Sequence, residues 1–552
     1  NLGREHWTLF DVLGRTVRTI RNYDDGVVDE TDTDRDSTVE YVYDSAGRLV
    51  TLIAYNAKGD DSDPYTENVE VQATKYLYES EINPNWQTAA VYPDSTDTIS
   101  QDGYGVWTIT ACDDHVSTAY DRLGRVVTTT DQRGVEHTYI YDTAGRLAHD
   151  SVTSLGASGI VDDAILRIST TYDDVGRVET VTSYDDADPG QGGVVNQVAY
   201  VYGVWGNLVR EYQAHDGEVD PQATPGVQYG YDDGASGSVA KYVRLSKVTY
   251  PNGREVHYDY AAGVDEIMSR LSSIGDGANT HASYKYLGAG RIVVEDYEDV
   301  EVKLSYDPDG DNSFSALDRF GRVLDQIWTD YGANPEEILD HYSYTYDRAG
   351  NRLSKSNELH AAFDEIYGYD NLDRLISAER ADDYDQTWTL DGLGNFAEFD
   401  DDGDIQTRQT NAANEIESIT GGWVSPTYDA AGNMLSAPKS GEETTRIHFV
   451  RDAWNRLVAV HADDPQNPGT PGELIAKYEY DGQKRRIEKT LADDTRIDYF
   501  YNGQWQLLEE RVIDSDSDPV ESHAYVWSQR YIDAPVLRDT YDDEGELLAA
   551  AR

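Results

Sequence analysis

Cysteine is nearly absent from this 552-residue chain: Cys112 stands alone, which excludes an intramolecular disulfide and a cysteine-rich metal cluster. Methionine (2) and phenylalanine (8) are scarce as well, and with them goes the usual material of a thick, dry core. No apolar run approaches the ~18 residues that a membrane-spanning helix needs. Positive charge is also short, with 45 Lys plus Arg against 104 Asp plus Glu and a net charge of −59. A field of that sign repels nucleic acid and anionic lipid, so neither is expected as a partner and membrane insertion is not expected; it suits a salty or calcium-containing medium. The chain opens at Asn1 with no Met and no signal-like segment, so it reads as an excerpt of something longer.

What is there in excess is tyrosine, 42 residues of it. Each ring carries a hydroxyl that needs water or a partner, so such rings suit a thin wall with wet faces. A single phrase recurs. Its strictest copies are Tyr43-Asp44-Ser45-Ala46-Gly47-Arg48, Tyr120-Asp121-Arg122-Leu123-Gly124-Arg125, Tyr141-Asp142-Thr143-Ala144-Gly145-Arg146 and Tyr172-Asp173-Asp174-Val175-Gly176-Arg177. Related copies begin at Phe10, Leu317, Tyr346 (with Asp347 and Gly350), Tyr369 (with Asp370), Leu390 and Tyr428 (with Asp429 and Gly432), and degraded ones at Tyr202, Arg451, Tyr480 and Tyr541. Neighbouring copies are commonly about 20 to 30 residues apart, within the range of repeat architectures.

The chemistry of the phrase predicts a β-hairpin. Alternation such as Glu40-Tyr41-Val42-Tyr43 is a period-2 strand with aromatics on one face. Asp opens a turn, because its carboxylate accepts a backbone N–H two residues on. Gly follows three residues later, where a type I turn with a G1 bulge needs φ > 0. Arg leads into the second strand; its guanidinium is expected to stack on the Tyr of the next hairpin and to pair with that hairpin's Asp. One hairpin alone is marginal in water, but consecutive hairpins pair edge to edge, and a long twisted sheet coils. The fold class expected is therefore all-β: an extended array of antiparallel hairpins coiled into a spiral, shell or barrel-like wall, with free edges only at its ends. One continuous array is expected over 1–552, with insertion loops near 56–70, 154–165, 185–195 and 215–240.

Catalytic signals are poor. Adjacent carboxylates such as Asp113-Asp114, Asp162-Asp163, Asp185-Asp186 and Asp463-Asp464 carry no glycosidase geometry by adjacency, and solvated acidic turns explain them. Weak calcium candidates are Asp400, Asp402 and Asp404, and Asp307, Asp309 and Asp311, which place oxygen ligands at alternate positions without the Glu that closes a twelve-residue calcium loop. Cys112 beside His115 reads as a small buried thiol rather than a nucleophile, since Asp113 and Asp114 raise a thiol pKa. No phosphate-loop string occurs. Tryptophans such as Trp205, Trp454, Trp505 and Trp527 serve either as packing anchors or as sugar-stacking platforms. Neither a cofactor nor an enzymatic activity is expected.

The phrases at Tyr43, Tyr120, Tyr141, Tyr172, Tyr346 and Tyr428 resemble the YD repeats of Rhs proteins, and Asn411-Ala412-Ala413-Asn414-Glu415-Ile416 resembles the linker phrase between such repeats. The resemblance runs from Phe10 to about Tyr541. It implies a large hollow shell of spiralling hairpins, as in bacterial polymorphic toxins, the cocoon component of insecticidal toxin complexes and animal teneurins. Bacterial members often hold a C-terminal toxin released at a DPxG-type autoproteolytic segment. Here the nearest string, Asp307-Pro308-Asp309-Gly310, lies mid-chain without the surrounding pattern, so no protease role passes to it. The function expected is a non-catalytic shell or scaffold, extracellular or at the cell surface, with a protein cargo such as a toxin or like chains as partners. The alternative is an adhesin that meets glycans or a cell-surface partner through exposed Tyr and Trp.

Overall fold

Alternating tyrosine and β-branched residues make strands, and the Asp-x-x-Gly-Arg phrase turns each strand back on itself. The computed structural model describes residues 4–24, 33–57, 69–111, 114–156, 159, 161–234, 242–307, 310–311, 313–515 and 519–551. Among them the strands form a 30-stranded sheet, a 12-stranded sheet and a two-stranded ribbon, paired antiparallel almost throughout. The exception is Val161–Asp162, which runs parallel to Glu442–Asp452. The chain is an all-β array of hairpins coiled into a spiral wall.

One hairpin shows the grammar. Strand Val135–Tyr141 pairs with Leu147–Leu155. Between them Gly145 N–H donates to the Asp142 carbonyl (3.0 Å) and Asp142 N–H to the Arg146 carbonyl (2.9 Å). Gly145 sits at φ +83°, a conformation that L side chains avoid. The register then slips by one: Tyr141 faces Leu147, while Ile140 faces His149. The same slip recurs at Tyr43/Leu49, Tyr172/Val178, Tyr202/Leu208, Tyr346/Arg352, Tyr480/Arg486 and Tyr501/Leu507. A bulge bends its strand and increases the local right-handed twist. Repeated at the same place in hairpin after hairpin, it coils the sheet.

Degraded copies keep the turn with other residues. Asp373, Asn414, Asn455, Lys484 and Trp505 occupy the glycine position with φ between 62° and 72°. At Leu317 the turn closes, but its flanks contribute only an isolated bridge to Val323. Of the stretches expected as insertion loops, 154–165 carries the strand Val161–Asp162 and 215–240 the strand Gly226–Tyr231.

The wall coils back on itself. Contacts between its first and second circuits begin at Arg4–Asp373, a sequence separation of 369. They continue at Gln72–Asn414 (342), Arg133–Asn455 (322), Asn196–Tyr480 (284) and Tyr250–Tyr525 (275), and end at Glu295–Arg530 (235). The separation thus falls from 369 to 235 residues, so one circuit takes fewer residues toward the C-terminal end. The largest apolar cluster lies at that end, where Val227, Val248, Ile274 and Ala282 of the first circuit meet Leu508, Ala524, Val526 and Leu537 of the second.

Continuity of the array differs from the expectation of free edges at the ends alone. The first sheet stops at Ile416–Ile419 and the second starts at Thr427–Tyr428. Between them Gly421 and Gly422 both have left-handed φ (84° and 82°) and Pro426 lacks the N–H that a ladder needs, so strand pairing is interrupted there.

Two substitutions test the hairpin. Gly145→Val is expected to destabilise by about 1–3 kcal/mol, because a β-branched residue resists positive φ. Tyr141→Phe deletes the phenol's hydrogen bond to the Val126 carbonyl (2.7 Å) and is expected to cost about 1 kcal/mol. Chemical denaturation measures both; an unchanged midpoint in either variant contradicts the assigned role.

Candidate functional site

The residues singled out in the sequence form one device, repeated. In the turns that carry it, the Asp carboxylate accepts two backbone N–H groups through Oδ1, at 2.7–3.0 Å. Asp44 takes those of Ala46 and Arg48, Asp121 those of Leu123 and Arg125, Asp142 those of Ala144 and Arg146, and Asp173 those of Val175 and Arg177. Asp347 takes those of Gly350 and Asn351, Asp370 those of Leu372 and Arg374, and Asp429 those of Ala431 and Asn433. The other oxygen, Oδ2, receives Nε of the Arg four residues on, at 2.6–2.7 Å for Arg48, Arg125, Arg146 and Arg177. Where the sequence has Asn instead, as at Asn351 and Asn433, the amide donates to the same oxygen.

Where Arg is present the ion pair thus lies inside its own turn, and the expected pairing with the next hairpin's Asp is corrected on that point. Four residues is the span that brings Nε onto its own turn's carboxylate. What the guanidinium gives to the next hairpin is its face and its free N–H groups. Arg48 lies over Tyr78, Arg125 over Tyr141, Arg146 over Tyr172 and Arg177 over Tyr202, at 4.1–4.7 Å from the ring centre. Arg322, Arg374 and Arg456 donate to the backbone carbonyl of the next turn's Asp347, Asp391 and Asp481. The stacked Tyr then returns a bond: Tyr141, Tyr172 and Tyr202 donate their hydroxyls to the carbonyls of Val126, Leu147 and Val178, each the residue just after the Arg. Where all its members are present, as from Asp121 to Tyr141, from Asp142 to Tyr172 and from Asp173 to Tyr202, this Asp–Arg–Tyr–carbonyl circuit locks a turn to its successor. Its electrostatics are consistent: the N–H of Arg146 and its guanidinium hold the Asp142 carboxyl below its ordinary value.

A second set of groups, which the sequence did not reveal, joins the circuits of the spiral. Glu211, Glu295 and Glu509 are 0 % exposed. Arg485 pairs with both Glu211 and Asp481, at 2.7 Å each. Glu509 accepts Arg511 Nε (2.6 Å) and Asn252 N–H (2.9 Å). Arg530 Nε reaches Glu295 (2.8 Å) and Arg254 pairs with Asp539. Gln213 exchanges two hydrogen bonds with the Tyr501 backbone. Burial pushes the Glu211 and Glu509 carboxyls up, against the pull of Arg485 and Arg511 respectively. In Arg485 burial works against the charge, but Asp481 and Glu211 outweigh it and hold the guanidinium protonated.

The remaining candidates do not assemble. Among the described residues no group of three or more His, Cys, Asp or Glu is arranged to hold a metal ion. Asp400 instead accepts the Gly403 N–H, Asp402 the Asp385 N–H and Asp311 the Ser313 N–H. Cys112, Asp113 and Asp309 lie outside the described residues. His115 pairs with Asp97 at 2.6 Å.

No family model matches the chain, and no curated protein matches it. Solved structures do share its fold. The TcdB2-TccC3-TEV crystal structure aligns with a TM-score of 0.57 at 15 % identity, covering 98 % of this chain and 28 % of that one. The Photorhabdus luminescens Tc holotoxin pore aligns with a TM-score of 0.56 at 14 % identity, covering 98 % and 29 %. The TcdB2-TccC3-Cdc42 structure gives 0.57 at 15 %, covering 98 % and 28 %. The likeness is one of fold, and this chain spans under a third of the length of those chains.

Two outcomes are expected from the seam. Arg485→Leu strands both Glu211 and Asp481 in the interior and costs about 3–5 kcal/mol or more, while adding Glu211→Leu restores the part owed to Glu211; a double variant less stable than the single one contradicts the pairing. Glu211 and Glu509 have raised carboxyl pKa values, so folding takes up protons there and their contribution falls as pH rises above the unfolded value of 4.5. The turn aspartates are depressed, so their contribution is complete above 3.8 and is lost as pH falls through their folded values. Denaturation midpoints across pH are therefore expected to peak in mildly acid solution, and a peak on the alkaline side would contradict the assignment.

Proposed function

We propose that this chain is a length of wall in a non-catalytic container of the YD/Rhs type, working outside the cell or at its surface and enclosing a protein cargo such as a toxin. One observation carries the reading: a single chain coils past one full circuit and seals its second circuit onto its first through buried pairs such as Arg485–Glu211. A filament or a simple binding module has no need of that seal; an enclosure does. Two facts lend support. The fold is shared with a Tc holotoxin over 98 % of this chain, and the net charge of −59 keeps a large surface soluble while repelling nucleic acid. Among the described residues no helix is long and apolar enough to cross a membrane.

Small-angle X-ray scattering on the purified chain tests this. A solid 552-residue globule has a radius of gyration near ~24 Å by the size scaling. The container reading expects a clearly larger value and a distance distribution with a depleted centre. A value at the globular figure overturns it.

A further inference from the structure

The turn at 411–415 departs from the repeat at the position that ties one turn to the next. Where the strict copies carry Arg four residues after Asp, it carries Glu415 four residues after Asn411. The bonds inside the turn survive the exchange. Asn411 Oδ1 accepts the N–H groups of Ala413 and Glu415 (2.9 and 3.0 Å), and its amide donates to Glu415 Oε2 at 2.6 Å. What is lost is the donor that faces the following turn.

The glycine of the following turn marks the place of that donor. Arg15, Arg125, Arg146, Arg177, Arg322 and Arg374 each bring Nη1 to 3.1–3.9 Å from the point where a Cβ would stand on that glycine. From this place Arg322 and Arg374 donate to the carbonyls of Asp347 and Asp391, at 3.1 and 2.8 Å. At Gly432 the atom in the same place is Glu415 Oε1, at 3.6 Å. It is buried and has no hydrogen-bond partner. A guanidinium here would donate to the Asp429 carbonyl. A carboxylate offers that carbonyl only a second acceptor, whereas a protonated carboxyl carries an O–H that can donate.

The surroundings favour the proton. Asp94 and Asp114 of the first circuit, Glu417 of the adjoining strand and Asp429 of the following turn line a cavity of about 490 Å³ with Glu415. Asp131 lines a second cavity, of about 690 Å³, that Glu415 also borders. The nearby cation, Arg133, is taken up by Asp131 and Asp429. The Tyr428 hydroxyl accepts the Ile416 N–H at 3.3 Å. Burial raises the Glu415 carboxyl above its ordinary value; the Asn411 bond opposes the rise, and Asp94, Asp429 and Glu417 add to it. The place in the fold is also distinctive. Glu415 directly precedes Ile416–Ile419, where the first sheet stops, and the turn it faces follows Thr427–Tyr428, where the second starts. This arginine seat therefore spans the break between the two sheets.

We propose that Glu415 is a proton-operated latch across that break: with a proton taken from solvent its carboxyl donates to the Asp429 carbonyl, as arginine does elsewhere in the array, and ties the two sheets together; ionised, it lets them part. The sign follows from linkage. A carboxyl whose folded value lies above 4.5 contributes fully below that pH, and the contribution is lost as pH rises through the folded value. The latch does not depend on whether the wall encloses a cargo.

Hydrogen-exchange mass spectrometry of the intact chain, read over 416–432 as protection corrected for the intrinsic rate, tests it at about pH 4.5 and about pH 7.5, on either side of the change. In the wild type, protection is expected to be about fivefold higher at the acid value, the scale of one hydrogen bond. Glu415→Gln, whose amide donates at any pH, and Glu415→Arg, which restores the repeat, are expected to show the higher protection at both. Glu415→Ala removes the charge without supplying a donor and is expected to show the lower protection at both. A wild type that does not respond to acid overturns the proposal, as does Glu415→Gln no better protected than wild type at about pH 7.5. An acid response that persists in Glu415→Gln assigns the titration to another group and overturns it too. Glu415→Ala matching Glu415→Gln overturns it in favour of simple relief of charge repulsion.

Discussion

The bond between an aspartate carboxylate and the two N–H groups of its own turn is the constraint on which the rest of this protein depends. A hairpin turn leaves backbone donors that strand pairing cannot use. Here one oxygen of each Asp takes two of them, and the other fixes the Arg four residues on. An arginine held at one end is a rigid plate, and its exposed face becomes a seat for the next tyrosine. Local turn chemistry thereby sets the spacing and angle between hairpins, which in a sheet held by backbone bonds alone would be set only by twist.

The seam answers a different problem. A coiled sheet needs something to keep successive circuits together, and a thin tyrosine-rich wall has little apolar surface to spend on it. The chain uses buried ions. Glu211 and Glu295 lose their hydration, and Arg485 and Arg530 repay it across the seam; Glu509 takes the Asn252 N–H across it and Arg511 from its own strand. Such pairs add little net stability compared with apolar packing, but they punish misplacement severely. That suits a joint whose task is registration more than adhesion.

The legibility of these two layers in the sequence differs for physical reasons. Turn, strand and fold class could be read directly, because Tyr43-Asp44 to Gly47-Arg48 act on one another within six residues. The direction of the Arg pairing is less legible: both its own Asp142 and the next turn's Asp173 are chemically eligible for Arg146, and only the four-residue geometry selects Asp142. The seam was not legible at all. Glu211 and Arg485 are 274 positions apart, and in a chain with 104 acids a glutamate bound for the interior looks like any on the surface. The break at 420–426 has its signal in Gly421-Gly422 and Pro426, residues that an ordinary loop uses equally.

The shortening of the circuit, from 369 residues at Arg4 to 235 at Glu295, bears on how such a gene can change. Tandem repeats ordinarily drift in copy number, because each unit touches only its neighbours. Here the gain or loss of one hairpin shifts every later seam partner out of step, as one slipped tooth does along a zip. Loss of one hairpin would set Gln506, the matching position of the next turn, against Glu211 in place of Arg485. Point changes within a hairpin remain cheap, whereas unit-level insertion and deletion between the two halves of the seam are closed to this lineage unless both circuits change together.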